Sequence, residues 1–92
     1  MINEIEKLQI VLIKKFPQAY ITLDKPLVEN GVWSMDIFIN DKHISVAWKH
    51  GKGFGLVYKD DHGYGEGADE VFSDSHSAYL RIIELMLLNV LS

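Results

Sequence analysis

The chain contains no cysteine. That removes disulfide bridges, thiolate zinc sites, iron–sulfur ligation and cysteine nucleophiles in one step. Secreted domains of this size often need disulfide staples, so a cytoplasmic setting is expected. No stretch approaches the ~20 apolar residues of a membrane-spanning helix, and Leu85–Leu88 is only a local cluster. The opening residues Met1-Ile2-Asn3-Glu4-Ile5-Glu6-Lys7 are acidic and amphipathic. They lack the basic flank and apolar run of a signal peptide, so no membrane partner is expected.

Recognisable catalytic and cofactor motifs are also missing. Neither His-Glu-x-x-His nor Gly-x-Ser-x-Gly occurs. An EF-hand loop counted from Asp60 fails, because position five is Tyr64 and position twelve is Val71. Gly63-Tyr64-Gly65-Glu66-Gly67 has the look of a phosphate cradle, but it has no Lys-Ser/Thr partner and is flanked by acids that repel phosphate. Its simpler reading is a backbone that needs positive φ or close packing at Gly65 or Gly67. No catalytic residue, metal ligand or cofactor is assigned.

What is present is an ordinary globular balance. The 92 residues are 48% hydrophobic and 24% charged, with a formal net charge of −4. This length suits one domain spanning residues 1–92. Such a chain buries roughly 60–65% of its unfolded surface, so its stability margin is thin and self-association would help it. The acidic balance argues against direct nucleic-acid binding, since such proteins are more often basic. The charge is nevertheless segregated. Lys42, Lys49, Lys52 and Lys59, with His43 and His50, precede Asp60, Asp61, Glu66, Asp69, Glu70 and Asp74. The plain reading is two solvated faces that partly neutralise each other.

Asn3-x-x-Glu6 resembles a capping box, and Ile5, Leu8, Leu12 and Phe16 follow at helical spacing with Val11 beside them. A helix is predicted over about residues 3–15, ended by Pro17. Ala19–Leu23 reads as a strand. Trp33, Met35, Ile37 and Ile39 alternate with Ser34, Asp36 and Phe38, Ile44, Val46 and Trp48 alternate with His43, Ser45 and Ala47, and Phe54, Leu56 and Tyr58 alternate with Gly55 and Val57. Short turns at 40–42 and 50–53 join these three strands into an antiparallel meander. Residues 59–70 have no period, and Val71-Phe72 is a short extended piece. Ser73 to Ser75 offer caps for a last helix bearing Tyr79, Ile82, Ile83, Met86, Leu87 and Val90 on one face. The fold class is therefore α+β, in the order α-β-β-β-β-α, with both helices packed on one face of an antiparallel sheet.

Two sets of residues stand out for interaction. The acidic, glycine-rich loop offers Asp60, Asp61, His62, Tyr64, Glu66, Asp69 and Glu70. Oxygen and nitrogen ligands of this kind suit a divalent ion, but their spacing fits no known motif. On the last helix, Leu80, Leu88 and Leu91 extend round from the main apolar stripe, with Leu85 beside them; Leu88 falls near Arg81 and Glu84. Excess exposed apolar area marks association, and two-fold dimers are the commonest assembly, so a homodimer is expected through these leucines. Phe38, Tyr20, Tyr58 and Tyr64 are candidates for partly exposed aromatics. The sequence pI near 5.4 makes a protein, rather than single-stranded nucleic acid, their expected partner.

The segment Trp48-Lys49-His50-Gly51-Lys52-Gly53-Phe54-Gly55-Leu56, followed by Gly63-Tyr64-Gly65-Glu66-Gly67-Ala68-Asp69-Glu70-Val71-Phe72, resembles a group of small uncharacterised bacterial domains. These have a Trp…Gly-Phe-Gly hairpin, a Tyr-Gly-Glu-Gly-x-Asp-Glu-Val-aromatic stretch and a terminal helix. The resemblance covers roughly residues 33–88. In such proteins the segment can sit beside a helix-turn-helix domain, which this chain lacks. The resemblance implies an accessory regulatory role and names no catalytic residue. The expected function is a non-catalytic protein-interaction or regulatory module with a protein partner. The alternatives are an immunity- or antitoxin-like inhibitor using the acidic loop, and a small metal-dependent enzyme.

Overall fold

The computed structural model describes residues 3–39, 42–58 and 68–91, the last four of these by their backbone path. The order is α1 (Glu4–Lys15), β1 (Tyr20–Asp24), β2 (Trp33–Ile39), β3 (Lys42–Lys49), β4 (Gly53–Val57), β5 (Glu70–Phe72) and α2 (Ser75–Leu91). All five strands form one antiparallel sheet in the order β1-β2-β3-β4-β5. The α+β class and the α-β-β-β-β-α order are thus shown, and the short piece at 71–72 pairs with β4 as a fifth strand.

Local signals explain the element ends. Asn3 caps α1, accepting from the Glu6 amide at 3.0 Å while the Glu6 carboxylate accepts from the Asn3 amide at 3.0 Å. Two otherwise unpaired donors are satisfied reciprocally. Glu4 and Glu6 in the first turn and Lys14 and Lys15 in the last complement the helix dipole. Asp74 caps α2 by accepting from the Ser77 amide at 3.1 Å. The β3–β4 hairpin turns through Gly51 at φ +79 and Gly53 at φ +93. A Cβ at Gly53 would stand 2.4 Å from the Phe72 carbonyl oxygen, so β5 can pair here only because the side chain is missing.

The period-two pattern places Met35, Ile37 and Ile39, then Ile44, Val46 and Trp48, then Phe54 and Leu56 on the inner face, all buried. Ile5, Leu8, Leu12 and Phe16 of the α1 segment and Ala78, Ile82, Leu85 and Met86 of α2 cover them. Helix α1 packs over β1 and β2, and α2 over β4 and β5. Trp48 is only 5% exposed. Its edge-on neighbour Trp33, with ring centroids 6.3 Å apart, is half-buried because it opens the first inner strand.

Two details of the helix reading are revised. Leu85 belongs to the core and Leu87 does not, with Leu87 exposed beside Leu80. The α2 stripe is therefore rotated slightly from the expected one. Val11 also lies off the buried stripe of α1, on the flank that faces α2.

Candidate functional site

A polar cluster fastens the end of β4 to the start of β5 and to α2. The Asp69 amide donates to the Leu56 carbonyl at 2.8 Å, and the Tyr58 amide donates to the Asp69 carboxylate at 2.9 Å. The Tyr58 hydroxyl donates to Glu70 Oε2. Arg81 Nε reaches both Glu70 oxygens, at 3.0 and 2.8 Å, and its guanidinium carbon lies 5.9 Å from the Tyr58 ring centroid. Arg81 Nη1 also meets Glu84 at 3.3 Å, one turn along α2. The Tyr58 hydrogen bond is the main force holding the Glu70 carboxyl below its usual pKa. Burial opposes this, and Arg81 adds to it. The same contacts raise Arg81 above the ordinary arginine value, first through Glu70.

Two members of the expected interaction loop, Asp69 and Glu70, therefore hold the chain to its own sheet and helix. Asp60, Asp61, His62, Tyr64 and Glu66 lie outside the described residues, as do Gly65 and Gly67. Among the described residues no group of three or more acidic or histidine side chains is placed to hold a metal ion.

The outer sheet face carries a row of aromatic rings. Tyr20, Phe38 and His43 are register partners across β1, β2 and β3. Phe38 stacks on His43 with centroids 4.4 Å apart and planes 4° from parallel, and Tyr20 follows at 6.0 Å. Asp36 fixes the imidazole through a 2.8 Å contact to Nε2. Tyr20 and Phe38 are exposed, as their outward parity demands. The sequence marked them as partly exposed but did not reveal His43, whose stacking depends on strand register.

The helix layer supplies the third surface. Lys7, Leu8, Val11, Ser75, His76 and Tyr79 line a groove between α1 and α2, with a free volume near 310 Å³. On the same layer Ile10 and Ile13 of α1 and Leu80 and Leu87 of α2 are each more than two-fifths exposed. Leu80 is thus at the surface as expected. The side chains of Leu88 and Leu91 lie outside the described residues. Sequence reasoning missed Ile10 and Ile13, yet their signal was available: they lie off the Ile5–Leu8–Leu12 stripe, where a solvated helix would carry polar residues. It also missed the 25–32 loop, where Leu27, Val28 and Val32 are exposed around a left-handed Asn30 at φ 63.

No family model, curated protein or solved structure matches the chain. No helix among the described residues is long and apolar enough to cross a membrane.

Proposed function

We propose that this chain is a non-catalytic protein-interaction or regulatory module that binds a protein partner through its helix layer. The observation that supports this reading is the apolar surface over the α1–α2 pair. Leu80 and Leu87 are each 48% exposed, seven residues apart on one side of α2. Tyr79 and Val11 continue that surface across the groove, with Lys7, Lys14 and Lys15 at its margin. Two nearly half-exposed leucines forgo about 1.5–3 kcal/mol of burial together, which a partner would recover. The lysine margin selects a partner segment that is apolar at its centre and acidic at its ends.

The test is affinity capture from the source cells with wild-type protein and Leu80→Glu/Leu87→Glu in parallel. Both substitutions are on the surface, so the circular dichroism spectrum should be unchanged. The reading requires proteins retained by wild type and lost by the variant. An identical set from both baits counts against it.

A further inference from the structure

The two outer strands of the sheet are unlike. Strand β5 has three residues, leads directly into α2 and is tied to that helix by Glu70–Arg81. Strand β1 has five residues and, among the described residues, no strand on its far side. Exposed strand edges are normally protected by lysine, proline, a bulge or shortness. Tyr20-Ile21-Thr22-Leu23-Asp24 has no lysine and no proline. It pairs with β2 without a bulge, residue for residue. Its core-side residues Ile21 and Leu23 are only half-buried, although their partners Ile37 and Met35 are fully buried. The inner face therefore stops short of covering its own last strand.

We infer that the β1 edge pairs with the β1 edge of a second copy of this chain, antiparallel and centred on Thr22, making one continuous sheet through a two-fold dimer. This goes beyond the proposed partner surface on the helix layer and does not rest on it. The strand is self-complementary in that register. Ile21 falls opposite Leu23 of the other copy, and Leu23 opposite its Ile21, which extends the apolar inner face across the axis. Thr22 meets Thr22, a favourable cross-strand pair. Asp24, the one charged residue of the strand, meets Tyr20 and not another carboxylate. No other pairing of identical strands centred within these five residues uses every position.

The helix layer fits the same arrangement. The α1 flank carrying Val11 faces α2, so Ile13, about 200° away around the helix, lies on the flank toward β1. Ile13 is 47% exposed there, and Ile10 is exposed next to it. Helix α1 rests over β1 and β2. With strands about 4.8 Å apart, joining two β1 edges sets the two α1 axes about 10 Å from one another. That is the spacing at which helices pack, and it brings Ile13 of each copy toward the junction.

The chain has no native cysteine, so a single introduced thiol reports the geometry cleanly. Residues directly opposite in an antiparallel pair have Cα atoms about 4.5–5.5 Å apart, within disulfide reach. Sedimentation equilibrium at micromolar concentration should give twice the 10.5 kDa chain mass. Thr22→Cys should oxidise to a cross-linked dimer, and the control Leu27→Cys, at a more exposed loop position, should not. Thr22→Lys puts like charges on the axis, while its neighbour Asp36 accommodates the lysine within one chain. It should return the mass to that of one chain with an unchanged circular dichroism spectrum. A wild-type mass of one chain at every concentration overturns the inference. So does a dimer in which Thr22→Cys cross-links no better than the control, which would place self-association elsewhere, for instance at α2. Neither result touches the capture experiment with Leu80 and Leu87.

Discussion

The β4–β5 side of the sheet is closed and the β1 side is open. At the closed side Phe54 is fully buried opposite Phe72, Gly53 admits the returning chain, and Tyr58, Glu70 and Arg81 bolt the last strand to α2. At the open side the core-facing residues are half-covered, the backbone ends in an unpaired row among the described residues, and apolar residues of α1 face solvent. A sheet can satisfy its last strand with its own helix and side chains or with another chain. This protein does the first at one edge and leaves the other available for the second. Edges of the second kind are avoided unless they are used, because they invite indiscriminate pairing.

The largest expected difference between the sides is in core substitution. Phe54→Ala removes a ring enclosed by Trp48, Phe72 and the helices, and should cost about 3–5 kcal/mol. Ile21→Ala, on the half-covered strand, should cost about 1–2 kcal/mol in the isolated chain. Urea unfolding of both variants checks the ratio, with the Ile21 variant measured below the concentration at which chains associate. Equal losses would mean that the open side is as well packed as the closed one.

Next in size is Gly53→Ala. The added methyl meets the Phe72 carbonyl oxygen, and the residue must also hold a φ near +93, where side chains are strained. Strain of this kind costs about 1–3 kcal/mol. Gly51→Ala is its comparison: its φ of +79 is unfavourable too, but nothing stands within 4 Å of its Cβ position. Thermal unfolding should rank Gly53→Ala as the more harmful. The reverse order would mean that β5 can shift away without loss, and the closed edge would then be no edge at all.

Much of this was legible in the sequence because it depends on neighbours a few residues apart. The Asn3–Glu6 capping box, the alternation of Met35, Ile37 and Ile39, and the Gly51–Gly53 hairpin follow from local rules of spacing, and the α+β order follows from them. What depends on register or on helix rotation was not legible. The Phe38–His43 stack exists because residue 38 pairs with residue 43. Periodicity alone ranks Leu85 and Leu87 almost equally on α2, and the sheet underneath decides which is buried. The acidic run at 60–70 reads as one loop in sequence. In the structure Asp69 and Glu70 are drawn out of it, because Tyr58 and Arg81 stand where only the tertiary fold could bring them. Of the leucines singled out on α2, Leu80 is exposed, and a search for exposed apolar residues applied to α1 would have found Ile10 and Ile13.

The smallest expected effect concerns the bolt itself. Glu70→Gln keeps the shape of the side chain and removes its charge. In the native chain the Tyr58 hydrogen bond, and then Arg81, hold the Glu70 carboxyl below its ordinary pKa, against the opposing effect of burial. A carboxyl whose folded pKa is below its unfolded one adds stability above the unfolded value. That contribution disappears as the pH falls through the folded value. Wild type should therefore exceed Glu70→Gln at neutral pH, and the gap should close in acid, below the usual glutamate range. Asp74, also lowered by its hydrogen bonds with Ser77, titrates in both proteins and leaves the gap unaltered. Because Glu70 and Arg81 are each more than a quarter exposed, solvent screens the pair, and the neutral-pH gap should be about 1 kcal/mol or less. Melting temperatures of the two proteins from neutral pH down to about 3 give the measurement, and added salt should narrow the gap at neutral pH. The absence of a gap at every pH in that range would mean that Glu70 holds β5 through shape alone. The closed edge would then rest on packing, like the inner face of the sheet, and its charges would be incidental.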